Sequence, residues 1–117
     1  MAKMYQTQLL AAAATKKPTF AGYYIVAHWG CGTICEQVAL IDVRTGKVYF
    51  PSFATSVGNR HRIDSRLFIV DPPEDIAIYD VDKSPGDPPL QTSYWLWNEK
   101  AKQFKSTRSE LPSLKGR

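Results

Sequence analysis

Apolar residues run through this chain in short blocks, each fenced by turn formers. The first block differs from the rest. Over residues 3–14, Tyr5, Leu9 and Ala12/Ala13 recur at helical spacing, and the alanines favour a helix. Lys16, Lys17 and Pro18 end it. That helix is expected to lie across a sheet. After Pro18 the blocks have strand length and are rich in aromatic and β-branched residues. Residues 20–29 and 36–43 predict two strands on either side of a glycine-cysteine loop. Arg44-Thr45-Gly46-Lys47 turns the second strand into Val48-Tyr49-Phe50, with the glycine placed for positive φ. Residues 51–60 read as a polar loop. Leu67-Phe68-Ile69-Val70 reads as a strand closed by Pro72-Pro73, and Ile76-Ala77-Ile78-Tyr79 as a short strand after it.

Ser84-Pro85-Gly86-Asp87-Pro88-Pro89 must be loop. Residues 93–97 read as a strand, Asn98-Glu99-Lys100-Ala101 as its turn, and Gln103-Phe104-Lys105 as the return. Alternation puts Tyr94 and Leu96 on one face and Trp95 and Trp97 on the other. The expected cover for the tryptophans is the N-terminal helix; an open face there would be a binding surface. The hairpins at 40–49 and 95–104 share an order of apolar block, acid, turn, lysine and aromatic. Two copies are too few for a repeat protein.

The pattern therefore predicts an α+β fold: an N-terminal helix packed on a mostly antiparallel, meandering β-sheet of about six or seven strands. Residues 1–105 are expected to form a single globular domain and 106–117 a basic, flexible tail. The 117 residues are enough for one core. Residues 101–117 hold five bases against one acid and so carry the whole net charge of +4. That is a charged end rather than the clustered basic face that phosphate neutralisation needs, so no nucleic-acid partner is expected. No apolar run approaches the ~18 to 20 residues of a membrane-spanning helix. The apolar stretch at 9–14 lacks the basic lead of a signal peptide, so no intact export signal is expected; a mature chain and a trimmed one would read the same.

The chemistry gathers in His28-Trp29-Gly30-Cys31-Gly32-Thr33-Ile34-Cys35, which holds both cysteines. Gly30 and Gly32 free the backbone to fold back, so a Cys31–Cys35 bridge can close at ordinary sulfur geometry. Over so short a loop it would add about 2 kcal/mol, shaping the loop more than holding the fold. A disulfide implies an oxidising compartment. Two other chemistries use the same residues. His28, Cys31, Cys35 and His61 would make a tetrahedral zinc site. A cysteine thiolate with His28 or His61 as base and Asp64 as orienter would make a nucleophile. Plainer readings exist too: His61, between Arg60 and Arg62, suits a surface. Asp71, Glu74, Asp75, Asp80, Asp82 and Asp87 suit aspartate-rich turns, without the spacing of a calcium-binding EF-hand. Asp64-Ser65-Arg66 suits a buried ion pair or a strand-entry cap.

Phe20-Ala21-Gly22-Tyr23-Tyr24, the Trp29-Gly30-Cys31-Gly32-Thr33-Ile34-Cys35 core, Ile41-Asp42, Thr45-Gly46-Lys47-Val48-Tyr49 and Asp64-Ser65-Arg66-Leu67 resemble a family of small exported bacterial proteins without an agreed function. The resemblance spans roughly residues 18–97 and implies a periplasmic or secreted protein. A second likeness is to periplasmic inhibitors of vertebrate-type lysozymes, which also close a short loop between strands with cysteines. Their inhibitory histidine lies inside that loop; here His28 lies outside it. The expectation is an exported, non-enzymatic binding or inhibitor-like protein with no cofactor. Cys31 and Cys35 would hold the loop, Gly30 and Gly32 shape it, and Trp29, Thr33, Ile34 and His28 meet another protein. The competing classes are a zinc or thiol enzyme on the Cys/His cluster and an oligomer-forming module with open sheet edges.

Overall fold

The structure is a computed structural model that describes residues 10–32 and 34–107. It opens with a helical segment, α1, at residues 10–15. Strands β1 (Tyr24–Gly32), β2 (Cys35–Asp42) and β3 (Val48–Tyr49) follow, then β4 (Asn59–His61) and β5 (Leu67–Val70). Helix α2 (Pro73–Asp82) leads to β6 (Ser93–Asn98) and β7 (Gln103–Thr107). The strands form two antiparallel sheets, β1-β2-β3 and β4-β5-β6-β7, rather than the single meander that the pattern predicts. The chain breaks the meander at residues 50–58, where it leaves the first sheet to found the second.

The two sheets share one core. Tyr24, Val38 and Leu40 from the first meet Phe68, Val70 and Trp97 from the second, with Phe20 between them. Trp97 packs edge-on against Tyr24 and Tyr49, with centroids 5.1 and 5.7 Å away. Trp95 lies over Phe53 at 4.9 Å. Among the described residues, the cover over both tryptophans is thus sheet and loop aromatics, not α1. The helix serves the opposite side of the first sheet, where Ala12 packs on Ile25, Ala27 and Ile41. The remaining residues of the expected helix, 3–9, lie outside those described. Burial on both faces explains why β1 and β2 are apolar without strict alternation.

Two elements differ from the sequence expectation. Ile76-Ala77-Ile78-Tyr79 is not a strand but the middle of α2. Pro72 precedes the helix, Pro73 opens it, and Glu74 and Asp75 face the positive end of its dipole. No residue of α2 is fully buried, so no core-facing stripe marked it as helical. Asn59-Arg60-His61 is not loop but β4, pairing Asn59 with Val70 and His61 with Phe68. The last strand runs to Thr107, two residues beyond the expected domain edge, and 108–117 lie outside the described residues.

One buried carboxylate fixes how these parts sit. Asp71 is 6% exposed and ends β5 with a left-handed φ of +52°. Its Oδ1 accepts the N–H groups of Ser56 (2.7 Å) and Val57 (2.8 Å), while its own N–H donates to the carbonyl of Gly58. Its carbonyl accepts the Thr92 hydroxyl. Loop 55–58 is thereby tied to the entrance of α2. Replacing Asp71 by alanine strands two backbone donors, and should lower stability by about 2 to 3 kcal/mol in urea unfolding. A loss below about 0.5 kcal/mol would show that water replaces the carboxylate there.

Candidate functional site

The glycine-cysteine stretch is the tip of the β1–β2 hairpin. Regular pairing runs from Tyr24 opposite Asp42 to Gly30 opposite Glu36, then slips before Gly32 meets Cys35. Cys31 and Cys35 are joined by a disulfide with Cα atoms 5.1 Å apart. The fold-back uses Gly32 at φ +136° and Ile34 at φ +54°. Glycine meets that demand without strain; a β-branched residue does not, so Ile34 is a backbone outlier held at the bridged tip. Gly30 sits in ordinary extended pairing with open space around its Cα.

The tip is braced from one side. Glu36 and Thr55 exchange backbone hydrogen bonds of 2.7 and 2.8 Å. Thr55 is buried, and the residues after it are those held by Asp71. This chain of contacts brings loop 55–58 and α2 beside the hairpin tip. Between them lies a hollow of about 500 Å³ lined by Ile34, Val57, Ile78, Tyr79, Lys83 and three aspartates, Asp75, Asp82 and Asp87. Ile78 is 66% exposed, and Val81 on the same helix 82%. The Tyr79 hydroxyl donates to the Pro88 carbonyl and so closes the loop after α2 against the helix.

The other expected site residues are spread around the tip. His28 is exposed and its Nδ1 lies 2.9 Å from Glu36 Oε2. Trp29, the next residue along the strand, projects to the opposite face, where it meets Phe50 edge-on at 6.4 Å. Thr33 lies outside the described residues. His61 is half-buried rather than fully on the surface. Its ring stacks on Phe68 at 5.3 Å, with Nδ1 2.7 Å from Asn59 Oδ1 and Nε2 3.3 Å from the Thr19 hydroxyl. Desolvation, and then the charge of His28, hold its pKa below the usual imidazole value. Asp64 is engaged with Arg62 through both oxygens, and Ser65 caps β5 by accepting the Leu67 N–H. The zinc and thiolate arrangements both need free sulfur, and here both sulfurs are in the bridge. Among the described residues, no three His, Cys, Asp or Glu side chains converge as a metal site.

Sequence reasoning missed α2 as a wall of the hollow, although Pro72-Pro73-Glu74-Asp75 is a helix-start signal. It also missed the polar cluster at the hairpin's other end. There Glu99 accepts from Tyr24 Oη (2.8 Å), Trp97 Nε1 (3.0 Å), Arg44 (2.9 Å) and Lys102. Arg44 also forks onto Asp42 through Nε and a terminal nitrogen, both at 2.9 Å. The turns of the two similar hairpins thus meet through opposite charges and lock the sheets together.

No protein-family model, curated protein or solved structure matches this chain.

The cluster gives the fold an acid dependence. Desolvation pushes Glu99 up, but the donors Lys102, Arg44, Trp97 and Tyr24 together outweigh it and hold the carboxyl down at about 2. The hydrogen bond from Arg44 lowers Asp42 in the same direction. Both groups release their protons more readily in the fold than in the open chain. The stability they add is complete above about pH 4.5 and is lost as pH falls toward 2. Glu99→Gln should flatten the fall of the melting temperature across that window. An acid limb as steep as that of the parent would contradict the role given to Glu99.

Proposed function

We propose that this is an exported, non-enzymatic binding protein of inhibitor-like kind, which docks another protein through the bridged hairpin tip. The observation that carries the reading is the placement of Ile34. It is held in a left-handed conformation beside the disulfide and lines one hollow with Val57, Ile78 and Tyr79. A preformed apolar step of this kind is ordered before contact and loses little entropy on docking. An α2 that exposes Ile78 and Val81 extends the same surface. The bridge is compatible with an oxidising compartment, which on this reading is the periplasm or the exterior. On this reading the chain is akin to the small exported bacterial proteins that its Trp-Gly-Cys-Gly-Thr-x-Cys stretch resembles.

The test is comparative capture. The parent chain, Ile34→Asp, and the double variant Cys31→Ser with Cys35→Ser are immobilised and exposed to a bacterial periplasmic extract. The bound protein is then identified and its affinity measured with purified material. Ile34→Asp should weaken that affinity at least tenfold, about 1.4 kcal/mol, as expected for a central apolar contact. The double serine variant should remain folded and bind more weakly. Equal affinity for all three chains would remove the tip from the interface.

A further inference from the structure

We propose that a second ligand site lies at the base of the same hairpin: a cleft for a carboxylate carried on an apolar or aromatic body. It is separate from the tip, so its fate is independent of the docking reading above. Two turns build it. Ala21 and Gly22 both take left-handed φ values, +53° and +85°. Gly22 N–H donates to the Ile63 carbonyl at 2.7 Å and Ala21 N–H to that of Ser65 at 3.1 Å. A non-glycine residue in this conformation is strained, and surrounding hydrogen bonds keep it there. The result is an opening of about 540 Å³ walled by Tyr23, Ile63, Leu96, Ser65, Arg66 and Asp64. That volume suits a small organic ligand.

The charge pattern selects the ligand. The described arginines are Arg44, Arg60, Arg62 and Arg66. Arg44 pairs with Asp42 and Glu99, Arg60 with Glu74, and Arg62 with Asp64. No described residue pairs with the Arg66 guanidinium. Asp64 does not fill that place, because Arg62 already grips both of its oxygens. An unpaired guanidinium beside a cleft offers a planar fork to a carboxylate. The Ser65 hydroxyl accepts from the Leu67 N–H and keeps its own proton to donate. Tyr23 supplies an aromatic wall, and Arg44, 3.9 Å from its ring centroid, covers one face and steadies it.

The probe is N-acetyl-L-phenylalanine, titrated into the ¹⁵N-labelled full chain at neutral pH, with N-acetyl-L-phenylalanine amide as the uncharged control. The acid should move the amide signals of Gly22, Ser65 and Leu96 saturably, and the control should not. Arg66→Gln, a change at an exposed side chain, should weaken the acid at least tenfold. Arg66→Lys, which keeps the charge and loses the fork, should fall between. A tripeptide ending in phenylalanine separates the two sources of such a group. Tighter binding than the small acid points to a chain terminus, and equal binding to a free organic acid. No saturable shift with the acid, an equal response to the amide, or unchanged affinity in Arg66→Gln would overturn the proposal.

Discussion

The β1–β2 hairpin is buried on both faces along its inner half, and the other features of the molecule depend on that. Tyr24, Val38 and Leu40 are pressed against the second sheet, while Ile25, Ala27 and Ile41 lie under α1. Each large apolar side chain buried in this way is worth about 1.5 to 3 kcal/mol. A disulfide across so short a loop is worth about 2 kcal/mol in all. The packing therefore holds the hairpin, and the bridge acts only beyond the last buried pair, where Val38 gives way to residues that water can reach.

A hairpin held this way behaves as a stiff bar with two different ends. At the base, Asp42, Arg44, Glu99 and Lys102 fasten the turn to the β6–β7 turn, and Tyr24 and Trp97 bring their polar atoms to the same carboxylate. At the far end the bridge, Gly32 and the Glu36–Thr55 ladder set the tip. Left-handed backbone at non-glycine positions marks both ends, at Ala21 and at Ile34. Strain of this kind persists where neighbouring contacts over-determine the chain, and such places are common at binding surfaces.

Much of this plan is legible in the residues. The cysteine spacing with Gly32, the Arg44–Lys47 turn and the block at 67–70 each carry local signals, and local signals decide strands and turns. The alternation also puts Trp95 and Trp97 on one face, though not whether that face is core or surface. What covers that face is a long-range matter: Tyr49, Phe53 and Phe104 arrive from distant segments, and no spacing announces them. The split into two sheets is hidden for the same reason, since residues 50–58 carry no sign of which strand they will join. β4 is three polar residues whose strand character comes only from pairing with β5. The tip residues were readable as a unit, but not the hollow, because α2 comes to it through long-range ties, the Asp71 carboxylate on the Ser56 and Val57 N–H groups and the Glu36–Thr55 backbone bonds.

Amide hydrogen exchange along β1 and β2, compared before and after reduction of the Cys31–Cys35 bridge, tests this division most directly. If packing holds the bar and the bridge sets only its end, reduction should speed exchange at residues 30–36 and leave Val38, Leu40 and Ile41 as protected as before. Loss of protection along the whole hairpin would show that the disulfide, not burial on two faces, carries the structure.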